Sequence, residues 1–141
     1  MKARNTTTGW VLEQMILPAL ARGGYAFQTQ VNVGRRLGGR QHVVDVIAEA
    51  PGGGFFPISL KWQQTGGTAE QKVPFEVMCL IDMLRSMPLI YRSAYLVLGG
   101  EGWTLREFFI GGGLRDFLID ADRVQIVTLE GFVARANQQK L

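Results

Sequence analysis

One cysteine, Cys79, and one histidine, His42, are all that 141 residues provide. A disulfide framework is thereby excluded, and so is a zinc site built from cysteines. His42 has no partner motif around it and reads as a strand-edge residue rather than a ligand or base. No run of about 18 apolar residues occurs, so no helix is expected to span a membrane. The opening MKARNTTTGW lacks the apolar core of a secretory signal, and an intracellular, soluble protein is expected. The glycine-rich stretches LGGEGW and IGGGLRD fit neither G-x-x-x-x-G-K-[ST] nor a clean G-x-G-x-x-G, and both read as turns.

Apolar material is plentiful: 47% of residues are hydrophobic against 19% charged, enough to bury a core and too much for a disordered chain. The length suits one domain, residues 1–141. A net charge of +3 and a pI near 9.4 suit an anionic partner without demanding one.

The stretch TTTGWVLEQMILPALARGG carries helical periodicity in Trp10, Leu12, Ile16, Leu17 and Leu20, with a break or kink predicted at Pro18. YAFQTQVNV alternates as a strand with Gln28, Gln30 and Asn32 on its polar face. HVVDVIAE and FFPISLKW follow as two further strands, separated by the turn APGGG. TAEQKVPFEVMCLIDMLRSM is a helix, with Thr68 and Gln71 spaced as a capping box and Pro74 placed to restart it. Met78, Cys79, Met83 and Met87 read as its core face. YRSAYLVLGG is a fourth strand, TLREFFIGGGLRDFLID two short helical pieces, RVQIVTL a last strand, and EGFVARANQQKL a polar helical tail. Helix, three-strand meander, helix and strand make an α/β order.

Asp45 and Lys61 are lone charges inside apolar runs, where a charge needs a partner. Counting back from the APGGG turn sets Asp45 opposite Ser59, Leu60 or Lys61. An even register puts Asp45, Ser59 and Lys61 on one face of the sheet, as neighbours. A structural ion pair satisfies that pattern as well as a reactive site does. Glu13 projects among Trp10, Ile16 and Leu17, and Glu70 and Glu76 follow on the next helix. Acidic residues early in a helix also suit its dipole.

This order of elements, with Asp45 on the second strand and Lys61 on the third, resembles the PD-(D/E)XK nuclease superfamily. The expected fold is therefore a restriction-endonuclease-like core, a mixed sheet flanked by helices in the order αβββαβ. Val44 stands where the family's Pro belongs, and Ser59 where its second acid belongs. Some members replace that acid from the following helix, which points to Glu76, with Glu70 in reserve. GTAEQKVPFE and YLVLGGEGW are similar to segments of small phage and bacterial members.

The resemblance implies Mg²⁺-dependent hydrolysis of DNA phosphodiesters, with Mn²⁺ able to substitute, either restriction-like or resolving branched DNA. Asp45, Glu76 and the Leu60 carbonyl would hold the ion, Glu13 a second ion or its water, and Lys61 the attacking water, with Ser59 hydrogen-bonded nearby. Arg35, Arg36 and Arg40 in the first hairpin turn, with Gln63 and Lys72, would touch DNA phosphates. A homodimer in the cytoplasm of a bacterium or phage-infected cell completes the expectation. The rival is a decayed member of the same fold that binds nucleic acid or protein without cutting, which the missing acid at Ser59 favours.

Overall fold

The computed structural model describes residues 6–141. Its centre is a five-stranded sheet in the order β1-β2-β3-β4-β5. The strands are β1 (Ala26–Arg35), β2 (Gln41–Glu49), β3 (Phe55–Trp62), β4 (Ala94–Gly99) and β5 (Val124–Thr128). β1, β2 and β3 form an antiparallel meander, while β4 joins β3, and β5 joins β4, in parallel. A parallel partner needs a long crossover, and α3 (Ala69–Ser86) supplies the one between β3 and β4. This mixed sheet between helices is the α/β fold expected from the chain.

Helices cover both faces. On one face, α1 (Thr6–Val11), a π-helical turn (Leu12–Ile16), α2 (Leu17–Arg22) and α5 (Leu129–Asn137) enclose Ile16, Leu20, Val46, Ala48, Ile58, Val97 and Phe132. On the other, α3 lays Val73, Val77, Leu80 and Leu84 over Ala94, Leu96 and Leu98, helped by α4 (Arg106–Ile110). Phe132 is fully buried, and burying a side chain of that size contributes roughly 2–3 kcal/mol.

Local deviations have local causes. The predicted break at Pro18 is realised as a local widening of one continuous helical run: the π turn Leu12–Ile16 directly precedes Pro18, whose ring supplies no N–H to the turn before it. α3 runs through Pro74 without restarting. Thr68 caps α3 by position only; the Ala69 N–H is taken by Gln63 Oε1 at 3.1 Å, so the expected capping box is replaced by a long-range bond. The C-terminal segment is not the polar tail its sequence suggested, because Leu129, Phe132 and Ala136 are buried in the first core. Cys79 and Met83 are core as expected, whereas Met78 and Met87 are exposed. Among the described residues, no helix is long and apolar enough to cross a membrane.

Candidate active site

β2 and β3 pair from Glu49↔Phe55 to Val46↔Ile58, and there the ladder ends. One step further in the same register, Asp45 faces Ser59. The even register puts Asp45, Ser59 and Lys61 on the sheet face that α3 covers. Past the ladder's end the Leu60 N–H donates to Asp45 Oδ2 at 2.8 Å. The carboxylate thus satisfies a strand amide that the neighbouring strand leaves open, which is how an acid is tolerated in this run.

Glu76 descends onto the same spot from α3. Ser59 Oγ donates to Glu76 Oε2 at 3.1 Å, and Lys61 Nζ lies 3.7 Å from Glu76 Oε1. Glu76 is nearly enclosed, with 12% of its side chain exposed, while Lys61 keeps 31%. Burial pushes the Asp45 carboxyl above the usual carboxylate range; Leu60 N–H and Lys61 oppose this, and the Glu76 charge adds to it. Burial also works against the Glu76 charge, but His42, Lys61 and Ser59 together outweigh it and hold that carboxyl below its ordinary range. The pair is therefore asymmetric, with the ion pair centred on Glu76 and Lys61 rather than on Asp45.

Two site residues were not picked out by the sequence. Gln30 lies across from Asp45 in a β1–β2 register that is unbroken on either side, and its side chain favours the charged Asp45. It does so from φ +52°, a left-handed conformation rare for a side chain larger than glycine's. His42, expected at a strand edge, is buried, with Nε2 pointing at Glu76 Oε2 from 3.7 Å. The only advance signal was the strand position of His42, three residues before Asp45.

The remaining expected residues divide. Glu13 is exposed on the π turn and, among the described residues, no hydrogen bond or ion pair joins it to the cluster. Glu70, the reserve ligand, is engaged elsewhere: it accepts from the Thr104 N–H at 2.6 Å, the Leu105 N–H at 3.1 Å, the Thr104 hydroxyl and the Gln63 amide. The Thr104 N–H is the largest reason its carboxyl lies below the usual range. Gln63 is buried, its amide divided among Glu70, the Gly102 carbonyl and the Ala69 N–H, so it braces the fold instead of facing a phosphate. Gly100 and Gly102 permit this brace: a Cβ on Gly100 would stand 2.4 Å from the Gln63 carbonyl oxygen, and Gly102 donates to that oxygen at 2.8 Å. The first hairpin's tip folds onto α3, where the Arg36 guanidinium sits 5.7 Å from the centre of the Phe75 ring. Arg35 binds the Gly39 carbonyl at 2.6 Å, and Arg40 and Lys72 are exposed.

The family model that matches this chain describes a PD-(D/E)XK nuclease superfamily domain and covers residues 4–140. The chain belongs to the PD-(D/E)XK nuclease superfamily. Its members are nucleases that generally use divalent metals and bind nucleic acid. No curated protein matches the chain. Among solved structures it is similar to AF1548, a protein of unknown function, with a TM-score of 0.50 and 14% identity over 80% of this chain. The match takes in 54% of that protein, so this chain spans about half of it, and the likeness concerns the fold.

The residues present fit a hard divalent ion of the kind this superfamily uses. Among the described residues no group of three or more His, Cys, Asp or Glu side chains is arranged to hold a metal ion. Asp45 and Glu76 offer carboxylate oxygens, the hard donors that Mg²⁺ takes while keeping several of its waters. At Ser59, where the sequence departs from the expected acid, the hydroxyl donates to the Glu76 carboxylate.

Proposed function

We propose that this chain is a metal-dependent DNA endonuclease whose second acid is Glu76, carried on α3, in place of the strand residue Ser59. The observation that supports this most is the Ser59–Glu76 contact of 3.1 Å beside Lys61 and across from Asp45. It brings an acid, a second acid and a lysine to the opened end of the β2–β3 pair.

In this reading Asp45 and Glu76, with the Leu60 carbonyl, hold one Mg²⁺ or Mn²⁺ ion. The ion supplies Lewis acidity toward the phosphate and acidifies a nearby water. The chain's own groups do the rest. Asp45 is held in place through Oδ2 by the Leu60 N–H, and Gln30 favours its charged form. Lys61, partly exposed, faces the incoming phosphodiester, orients the attacking water and balances charge developing on the phosphate. Ser59 fixes the Glu76 rotamer. Arg35, Arg36, Arg40 and Lys72 line the approach for the DNA backbone, and a second copy of the chain serves the opposite strand of a duplex. Restriction-like cutting and cleavage of branched DNA both fit this site.

The rival reading, a nucleic-acid-binding protein that does not cut, draws on the Ser59 departure. Supercoiled, branched and single-stranded DNA incubated with Mg²⁺, Mn²⁺ or EDTA separates the two. Metal-dependent cutting by wild type that disappears in both Asp45→Ala and Lys61→Ala is the expected result. Salt-sensitive DNA binding with no cutting under any metal establishes the rival instead.

A further inference from the structure

His42 is the one described residue with a buried side-chain nitrogen that has no hydrogen-bond partner: Nε2 is enclosed and unsatisfied. A buried polar atom left so is costly, and native proteins keep such atoms rarely. Nε2 points at Glu76 Oε2 from 3.7 Å, too far for a hydrogen bond and close enough that a small turn of the carboxylate would make one. The same oxygen already accepts from Ser59 Oγ, while the other oxygen, Oε1, faces Lys61. Glu76 thus presents one oxygen to Ser59 and His42 and the other to Lys61.

We infer that His42 is a positioning residue for Glu76: Nε2–H, as a donor, and Ser59 grip Oε2 when Oε1 is drawn to a divalent cation. This inference rests on the reading of Glu76 as a metal ligand and deepens it. An acid on a strand is held by the ladder of its neighbours. An acid on a helix reaches the same place through a longer, freer approach, and needs donors that set its rotamer. Ser59 supplies one from β3 and His42 the other from β2, so the carboxylate is braced by both strands that part at the site.

The test is Mn²⁺ binding to the whole chain without DNA, followed by calorimetry and by the electron paramagnetic resonance of the free ion, with melting temperatures recorded for every variant. His42→Phe keeps the ring and removes the donor; it should weaken Mn²⁺ binding by about tenfold or more, as outer partners of metal ligands do. His42→Gln returns an N–H donor and should recover most of that loss. In a Glu76→Gln background His42→Phe should change nothing further. Equal Mn²⁺ affinity in wild type and His42→Phe overturns the inference, as does a Gln variant no better than Phe at matched stability. If His42→Phe does not fold, the comparison of His42→Gln with His42→Ala decides on the same terms. Mn²⁺ binding that depends on Glu76 but ignores His42 sinks this inference alone. Wild type that binds no Mn²⁺, or binds it as well after Glu76→Gln, sinks the metal-site reading and this inference with it.

Discussion

Ser59→Glu is the perturbation whose consequence follows most directly from the geometry. Ser59 Oγ is 3.1 Å from Glu76 Oε2, so a carboxylate grown from residue 59 enters the space that Glu76 already occupies. Two like charges about 3 Å apart repel by roughly 5 kcal/mol at an effective dielectric constant of about 20. Lys61 offsets part of this, and uptake of one proton sets a ceiling. Protonating an ordinary glutamate costs about 3–4 kcal/mol at about pH 7 and about 1 kcal/mol at about pH 5. For a chain of this length the ceiling corresponds to a melting temperature lower by about 10 °C at neutral pH and by about 3 °C at pH 5. The sign follows from the proton. The folded pair binds it more tightly than the unfolded chain, so stability is present at low pH and lost as pH rises through the pair's folded pKa. Glu76→Ser added to Ser59→Glu removes the repulsion and should restore both the melting temperature and Mn²⁺ binding, with the acid now on the strand. Thermal melts by circular dichroism in EDTA between about pH 5 and 7, then with Mn²⁺, measure all of this. A Ser59→Glu protein that melts like wild type across that range refutes the placement of the two carboxylates.

Two further outcomes follow from the charged groups of the fold. Asp45 carries a carboxyl whose folded pKa is raised by burial, so its share of stability is present at low pH and lost as pH rises through that value; Asp45→Asn should melt higher than wild type at neutral pH, with the gain shrinking in acid, while abolishing any cutting, and a lower melting point contradicts the burial argument. Glu70 is the opposite case, its folded pKa lowered first by the Thr104 N–H. Its stabilisation is therefore present above the unfolded pKa and lost as pH falls through the folded one, so Glu70→Gln should be less stable than wild type at neutral pH with the gap closing in acid; a gap that stays constant with pH refutes it.

How far the sequence was legible depended on the range of each signal. Asp45 and Lys61 stood out because each interrupts an apolar strand, and the short turn between them limits the register to a few choices. The observed register, Val46↔Ile58, is of the even kind that puts both on one face. The expected helix after β3 survives as well, since its apolar spacing outweighs Pro74. Glu70 and Glu76 could not be told apart in the same way, because both are early acids on one helix. The contacts that separate them come from other elements: Thr104 and Leu105 in the loop after β4 claim Glu70, and Ser59 on β3 claims Glu76. Gln30 and His42 were invisible for a related reason. Strand alternation puts His42 on the face opposite Asp45, yet its imidazole reaches Glu76; at His42 the β1–β2 ladder carries a register shift, between the pairs Asn32↔Val43 and Arg35↔Gln41. Bulges bend and twist a strand locally, and a period-two pattern has no means of recording that. The C-terminal helix was misread because its three buried residues sit among charged and amide side chains, and only packing against α2, β4 and β5 reveals which face is inside.

Glu70 and Glu76 have separate tasks, and the second depends on the first. They are on one helix, about 9 Å apart along its axis. Glu70 ties the start of α3 to the loop after β4 through two backbone amides and a hydroxyl, and Gln63 closes the tie to β3. That fixes where the helix begins and how it is rotated over the sheet, and hence where Glu76 arrives relative to Ser59 and Lys61. A strand acid gets this placement from the sheet itself. Here an anchored helix start must replace it, and the fold spends a buried carboxylate and a buried amide on that anchor, next to the site and outside its chemistry. The residue that looked like a spare ligand is the one that holds the helix of Glu76 in register.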